Sequence, residues 1–212
     1  MTSQSLKVSV SEHLREKASI YLFVFVLLIM GVIFGAIIVN SMSISSREDL
    51  FSYLERFFGQ IQSGQTAQGA DLFKQSFIDN IKFIGLIWLL GISIIGLPII
   101  LIMLFLKGIV VGFTVGFLVN QMGWNGFLLS FVAVFPQNLL LIPLFLVTSV
   151  LAISFSLNVL KQLFTKNYRA SPSKMFFQYV VFMFIISIFV LIPASFEAYI
   201  SPLLMEKVVS WF

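Results

Sequence analysis

Apolar runs separated by short polar segments fill most of the chain and predict membrane-spanning helices. The predicted spans are residues 20–39, 81–106, 108–121, 127–160 and 175–200. A helix needs about 20 mainly apolar residues to cross a bilayer. The third span is short by this measure and the fourth is long, so the sequence leaves open whether the third span crosses fully. The pattern predicts an all-α integral membrane protein, a bundle of about five helices, in which residues 1–212 form one polytopic domain.

One charged residue sets an expected boundary inside the apolar part of the chain. Lys107 is the only charged residue between Lys82 and Lys161, and it separates the second predicted span from the third. A polar, glycine-rich segment, residues 120–126, follows the third span and is predicted to form a turn.

Prolines are expected to kink or break three of the spans. Gly96-Leu97-Pro98 lies within the second span and should kink it. Pro136 and Pro143 interrupt the fourth span, so part of it is predicted to be a broken or re-entrant helix. Pro193 is expected to bend the fifth span.

Glycines recur four residues apart in two spans, as Gly31 and Gly35 and as Gly108, Gly112 and Gly116. This spacing puts them on one helix face and lets another helix approach closely in lipid. Glycine is common in membrane helices, so a pair is a weak signal and three in register a stronger one. We interpret both sets as packing faces, first of all within the chain. A homodimer through the Gly108 face is a weaker hypothesis.

Residues 40–80 form a sizeable loop that is predicted to contain an amphipathic helix. Ser45 precedes Glu48 with the spacing of a capping box, which favours a helix start. Apolar residues then recur with the period of a helix: Leu50, Phe51, Leu54, Phe57, Phe58 and Ile61. Such a helix is expected to lie in the membrane interface or to dock on the bundle. Its apolar side chains are therefore candidate contacts for a partner or a lipid.

Composition agrees with a membrane protein. Apolar residues make up 59% of the chain and charged residues 10%, whereas an ordinary globular chain carries about 25% charged residues. Cysteine is absent, which excludes disulfides, thiolate metal sites and cysteine nucleophiles. The formal charge of +4 comes from basic residues in loops beside apolar spans, so nucleic acid is not an expected partner.

The loop charges predict the orientation of the chain in the membrane. With a cytoplasmic N-terminus, the inner side holds residues 1–19, Lys107 and the basic loop 161–174, which carry eight of the 13 basic residues. The opposite orientation would put the acid-free loop 161–174 outside, against the positive-inside rule. We therefore expect an extracytoplasmic C-terminus and an extracytoplasmic 40–80 loop.

Residues typical of catalysis or metal binding are scarce. His13 is the only histidine and lies outside every span, and the H-E-x-x-H and G-x-S-x-G motifs are absent. Lys107 and Glu197 are each predicted at a span end, where interfacial anchors are more common than transport residues. No catalytic residue, cofactor or metal site is predicted, and the chain is not expected to be an enzyme.

Two amides, Gln137 and Asn138, follow Pro136 in the middle of the fourth predicted span. Amides in lipid need hydrogen-bond partners. One interpretation is a hydrogen-bonded kink inside the bundle, and it is the favoured one. The other is a polar pocket that binds a partner, a lipid or a small ligand.

The order of these features resembles the stage II sporulation protein M family over essentially the full length. The resemblance rests on the five spans, the amphipathic first loop, Asn80-Ile81 before the second span, the segment from Lys107 to Gly116, and Phe135-Pro136-Gln137-Asn138-Leu139. Wider relatives carry a Pro-His-Gly-x-x-Glu pattern at that break. Here the His, Gly and Glu are replaced by Gln137, Asn138 and Leu141, so the resemblance does not extend to an activity tied to that motif.

The resemblance implies a role in engulfment during endospore formation, when the mother-cell membrane migrates around the forespore. The implied function is a membrane scaffold that localises two peptidoglycan-degrading partners, stage II sporulation proteins P and D. The implied location is the septal and engulfing membrane of the mother cell. A small transporter or permease subunit is the alternative, because broken, glycine-rich spans and mid-membrane amides also occur in transporters.

Overall fold

The computed structural model describes residues 15–62, 69–164 and 172–209, which form helices and no strand. The helices are α1 (Ala18–Asn40), α2 (Ile44–Gln62), α3 (Gly69–Ile92), α4 (Gly96–Ala133), α5 (Phe135–Phe164), α6 (Pro172–Phe189), α7 (Leu191–Ser195), a π-helical turn (Phe196–Ile200) and α8 (Ser201–Val209). Five stretches are long and apolar enough to span a membrane: Ala18–Asn40, Gly69–Ile92, Gly96–Ala133, Phe135–Gln162 and Ser173–Val208. The predicted all-α fold with about five spans is confirmed.

The two ends of the bundle can be named by the residues at which helices finish. At the end where α1 finishes, the Asn120 side chain of α4 donates a hydrogen bond to the Asn40 side chain, with 3.3 Å between nitrogen and oxygen. We call this the Asn40 end. The opposite end carries the tight connection between α3 and α4, and we call it the Ile92 end.

Helices α1 and α4 pack backbone to backbone in the most extensive helix contact among the described residues. Gly31 and Gly35 of α1 face Gly108, Gly112 and Gly116 of α4. A Cβ added at Gly108 would collide with the backbone carbonyl oxygen of Leu28 and lie 3.1 Å from the Cα of Gly31, so no side chain fits there. The glycine face of α4 is therefore covered within one chain, and a homodimer would need another surface.

The apolar core lies where α1, α3, α4, α5 and α6 meet. Its fully buried side chains include Val24, Leu28, Ile84, Ile87, Ile100, Leu104, Leu141, Phe145, Val150 and Val190. Many large apolar side chains instead point outward, as expected for helices whose solvent is lipid.

The predicted boundaries of the second and third spans are wrong. The chain reverses between Ile92 and Gly96 rather than at Lys107, which lies well inside α4. Pro98 stands in the first turn of α4, where a proline interrupts no intrahelical hydrogen bond and therefore starts the helix instead of kinking it. The first-loop prediction is also too long, since α3 already begins at Gly69.

The breaks near the Asn40 end lie at different residues from the prolines. Gly123, inside the polar segment predicted as a turn, interrupts α4 with a φ of 58° and a ψ of −126°. That conformation favours glycine because a Cβ would collide with the backbone. Val134 separates α4 from α5, whereas Pro143 lies inside α5, which continues through it.

Helix α2 is amphipathic, as its sequence predicts, and lies at the Asn40 end. The Ser43 hydroxyl accepts a hydrogen bond from the Ser46 backbone N–H at 3.2 Å, so the first turn is capped two positions earlier than the predicted box at Ser45 implies. Arg47 donates to the Val39 carbonyl at 3.1 Å and so satisfies the end of α1.

A second apolar cluster joins α2, α8 and residues 118–132 of α4, which together we call the end platform. It contains Leu54, Leu118, Met122, Leu128, Leu129, Val132, Met205 and Val208. Of the predicted contact residues, Leu50, Phe51 and Leu54 are half-buried. The side chains of Phe57, Phe58 and Ile61, together with His13 and residues 165–171 of the basic loop, lie outside the described part of the chain.

Candidate functional site

A polar cavity of about 280 Å³ opens between helices in the half of the bundle nearer the Asn40 end. Its lining residues are Leu72, Gln75, Ser76, Asp79, Asn80, Lys107, Gln137 and Glu197. Five of them come from α3, where a spacing of three and four residues puts them on one helix face. The α4, α5 and π-turn segments each contribute one more. The cavity is therefore built by residues far apart in sequence.

Glu197 ties three elements together at this cavity. Its Oε2 accepts a hydrogen bond from the Ser76 hydroxyl of α3 and another from the Gln137 side-chain amide of α5. Hydrogen bonds to an ionised carboxylate are shorter and stronger than those between neutral groups. Glu197 thereby connects the π-turn to both helices.

The backbone that carries Glu197 is itself unusual. Residues Phe196–Ile200 form a π-helical turn, in which the Ser201 N–H donates to the Phe196 carbonyl, five residues back. Pro193 precedes this turn and supplies no backbone N–H, which weakens the regular ladder just before it. Single π-turns inside α-helices are frequent at functional sites, and this one aims a carboxylate into a cavity.

Asn80 supports the Ser76 side of the cavity. Its amide nitrogen donates to the Ser76 carbonyl at 2.9 Å and lies 3.4 Å from the Ser76 hydroxyl oxygen. Both residues are buried, with 6% and 7% of their surface exposed. Asn80 therefore leaves the Ser76 hydroxyl proton available for Glu197.

Lys107 reaches the cavity from the middle of α4. At 1.5 Å per residue it lies about 16 Å along the helix from Gly96, close to half the thickness of a bilayer core. Its ammonium lies 5.0 Å from the ring centre of Phe145 and 5.7 Å from that of Phe83. Within the described part of the chain it donates no hydrogen bond and has no carboxylate within 4.0 Å. Two aromatic faces thus stabilise a cation that no anion neutralises directly.

Gln137 and Asn138 lie in the first turn of α5 and not in the middle of a span as predicted, and they have different partners. Gln137 faces the cavity and bonds to Glu197, which matches the polar-pocket interpretation. Asn138 donates at 2.8 Å to the carbonyl of Val134, the residue between α4 and α5, which matches the hydrogen-bonded kink. Each of the two interpretations therefore describes the surroundings of one amide.

The interpretation of Lys107 and Glu197 as interfacial anchors is wrong, since both line one internal cavity. Ser76 was not a candidate from the sequence, because serine is common in membrane helices. Charged residues are rare inside membrane spans and usually face the bundle interior. The single cation and the single acid inside the apolar spans could therefore have indicated this site. Among the described residues, no group of three or more His, Asp or Glu is arranged to hold a metal ion.

The comparison with known families found a match over most of the chain. The family described as stage II sporulation protein M matches residues 24–202, a range that contains every residue lining the cavity. No curated protein and no solved structure matches the chain. Members of this family are sporulation-related membrane proteins, and it is not a known enzyme family. Because the match covers five predicted spans and most of the sequence, the chain belongs to the stage II sporulation protein M family.

Proposed function

We propose that the chain is a non-enzymatic membrane scaffold that recruits and positions peptidoglycan-degrading proteins during engulfment. The expected partners are proteins similar to stage II sporulation proteins P and D. Family membership supports a role in sporulation. The observation that carries the scaffold proposal is the end platform, in which an amphipathic helix and the last described helix pack into one apolar cluster at the same end of the bundle.

Helix α2 of the end platform has one buried face, which packs on the apolar cluster, and one exposed face. Leu54 packs into the apolar cluster and anchors α2, whereas the neighbouring Tyr53 is 66% exposed. The Arg56 guanidinium lies 5.9 Å from the centre of the Tyr53 ring, and Trp124 is also exposed. Tyrosine, tryptophan and arginine are the residues most enriched in protein–protein interfaces. Tyr53 and Arg56 lie on the docked helix α2 and Trp124 lies on α4, and these residues support a partner-binding surface.

The proposed orientation puts the platform on the side of the wall. Five spans leave the two termini on opposite sides, and the acid-free basic segment 161–174 favours the cytoplasm. With Lys107 inside α4, that segment and the basic N-terminal residues supply the orientation signal. In this orientation the Asn40 end is extracytoplasmic, where hydrolases of peptidoglycan act.

The test is affinity purification of the tagged full-length chain from gently solubilised membranes of sporulating cells, with mass spectrometry of the proteins recovered. We expect wall hydrolases with the unaltered chain and their loss with Tyr53→Ala. Phe177→Ala is the matched control, because Phe177 is 69% exposed on α6 near the opposite end. Recovery of hydrolases by all three proteins would remove the platform from the proposal. Recovery of a cytoplasmic ATPase and no hydrolase would contradict the scaffold itself.

A small permease subunit is the second candidate, and the polar cavity is the observation that favours it. Broken helices that enclose polar groups near the membrane midplane occur in transporters. This function predicts substrate-dependent flux in liposomes that Gln137→Leu abolishes and Asn138→Leu retains, since only Gln137 lines the cavity. Absence of flux from protein that still binds wall hydrolases would eliminate it.

A further inference from the structure

The charges of the cavity are complementary to a ligand that carries both signs. We propose that it binds a small zwitterionic group, with an anionic phosphate or carboxylate at Lys107 and a primary ammonium at Glu197. This proposal does not depend on the scaffold function, since it concerns ligand binding by the chain alone.

Lys107 defines the anionic half of the ligand. The rings of Phe83 and Phe145 attract its charge, but aromatic faces leave the three N–H donors of an ammonium without a strong acceptor. A charge removed from water is costly unless it is paired and hydrogen-bonded. A phosphate or carboxylate oxygen in the cavity would be the first such acceptor for Lys107 among the groups described.

Carboxylates define the cationic half. Glu197 has its Oε2 held by Ser76 and Gln137, so the carboxylate is already oriented before a ligand arrives. Asp79 also lines the cavity, and its side chain is 60% exposed. An ammonium between these two acids would gain charge-assisted hydrogen bonds.

Lys107 and Glu197 do not form a direct ion pair. Lys107 and Glu197 line the same cavity, yet their charged atoms are more than 4.0 Å apart. A direct ion pair would leave the site self-neutralised, whereas here both charged groups face the same cavity without an ion pair between them. The neutral side chains of Gln75 and Asn80 offer further hydrogen bonds on the α3 side.

Volume limits the size of the ligand. A cavity of about 280 Å³ corresponds to about nine water molecules at about 30 Å³ each. It lies at the lower edge of the range for drug-sized ligands, about 300–1,000 Å³. A group such as 2-aminoethyl phosphate suits this space and both charges. The same chemistry occurs in free small molecules and in the headgroup of ethanolamine phospholipids.

The test uses the purified full-length chain in a non-ionic maltoside detergent, with binding measured by isothermal titration calorimetry. The doubly charged probes are 2-aminoethyl phosphate and dihexanoyl phosphatidylethanolamine. The singly charged controls are ethyl phosphate and ethylammonium. We expect a doubly charged probe to bind at least about tenfold more tightly than either control, a difference of about 1.4 kcal/mol. Preference for the free phosphate indicates a soluble ligand, and preference for the lipid indicates a headgroup.

Matched variants locate the binding. Lys107→Met and Glu197→Gln should each lower the affinity for the preferred probe by on the order of tenfold. Lys161→Met and Glu16→Gln, both exposed and outside the cavity, should leave it unchanged. Asp79→Asn is the second acidic variant, because an exposed side chain can be changed without loss of the fold.

Three outcomes overturn the proposal. Equal binding of the singly and doubly charged probes would remove the requirement for both signs. Binding that survives Lys107→Met and Glu197→Gln would locate the ligand elsewhere. Absence of binding by any probe to folded protein would mean that the cavity holds water alone.

Discussion

Helix α4 presents two neighbouring residues to two very different surroundings. Gly108 lies against the backbone of α1, where no side chain fits between the helices. Lys107, one residue earlier, projects into the polar cavity beside two aromatic rings. The first face is defined by the absence of a side chain and the second by a charge. One helix thus serves as packing surface and as part of a candidate binding site.

The two faces depend on different forces. Between α1 and α4, close contact over a long length gives van der Waals attraction, which replaces the hydrophobic effect as the source of helix association in lipid. Around Glu197, a few strong hydrogen bonds hold α3, α5 and the π-turn. We therefore expect the glycine face to be sensitive to volume and the cavity face to be sensitive to polarity.

The largest effect is expected from Gly112→Leu, which tests the volume rule. A Cβ at Gly112 would lie 2.7 Å from the Cα of Val32, so α1 and α4 must separate. Overpacking typically costs about 1–3 kcal/mol, and contact with backbone puts this variant at the upper end. The thermal unfolding midpoint in detergent should fall by several degrees.

Gly85→Leu is the matched control for that change. Gly85 lies in α3, another membrane-spanning helix, and a Cβ there meets nothing within 4 Å. Its unfolding midpoint should stay close to that of the unaltered chain. If both leucine variants lose the same stability, helix proximity is not what distinguishes the glycine face.

A smaller effect is expected from Gln137→Leu, which tests the polarity rule. The change removes a hydrogen bond to a carboxylate, a class worth about 1.5–3 kcal/mol. Asn138→Leu removes a hydrogen bond to the backbone carbonyl of Val134, worth about 0.5–1.5 kcal/mol. In SDS denaturation from mixed micelles, the Gln137→Leu chain should have a lower free energy of unfolding than the Asn138→Leu chain. The reverse order would argue against the Glu197 hydrogen bonds as a structural connection.

Gly123→Ala tests the break in α4 at the end platform. A positive φ is strained for alanine and costs about 1–2 kcal/mol. Gly59→Ala in α2 should instead stabilise by about 0.5–1 kcal/mol, because Gly59 lies in open space within a helix. The unfolding midpoint should therefore fall with Gly123→Ala and rise with Gly59→Ala. A neutral Gly123→Ala would show that the chain adopts a regular helix there.

The smallest effect is expected from Lys82→Ala. Lys82 pairs with Asp79 at 3.5 Å on an exposed face of α3, and such pairs contribute about 0–1 kcal/mol. The unfolding midpoint should therefore barely change. A large loss would indicate that the Asp79 charge is held more tightly than its exposure implies, and would extend the cavity site to the surface of α3.

Much of the fold could be predicted from local sequence because lipid imposes a simple rule. Apolar length alone predicts five spans, and the four-residue spacing of glycines predicts the two faces that meet between α1 and α4. The position of the reversal before Gly96 was harder to predict. Pro98 is compatible with both a kink and a helix start, and only the partner helices decide between them.

The candidate site was less accessible to sequence reasoning because its members come from four separate segments. A charge in an apolar run usually ends a span, so the sequence predicts a boundary between spans at Lys107. The rings of Phe83 and Phe145 that accommodate its charge lie far away in sequence. The π-turn that orients Glu197 has no clear local signature beyond Pro193. Such sites depend on tertiary contacts that a single sequence does not display.

The most direct test of the account asks whether the cavity face carries function while the glycine face carries the fold. Heat-resistant spore yield should be measured in a strain that makes only the Glu197→Gln chain, with its membrane abundance quantified. We expect a clear loss of spore yield at normal abundance, and an unchanged yield with the matched Glu16→Gln control. A normal yield from Glu197→Gln would contradict a functional role for the cavity and leave it a structural feature.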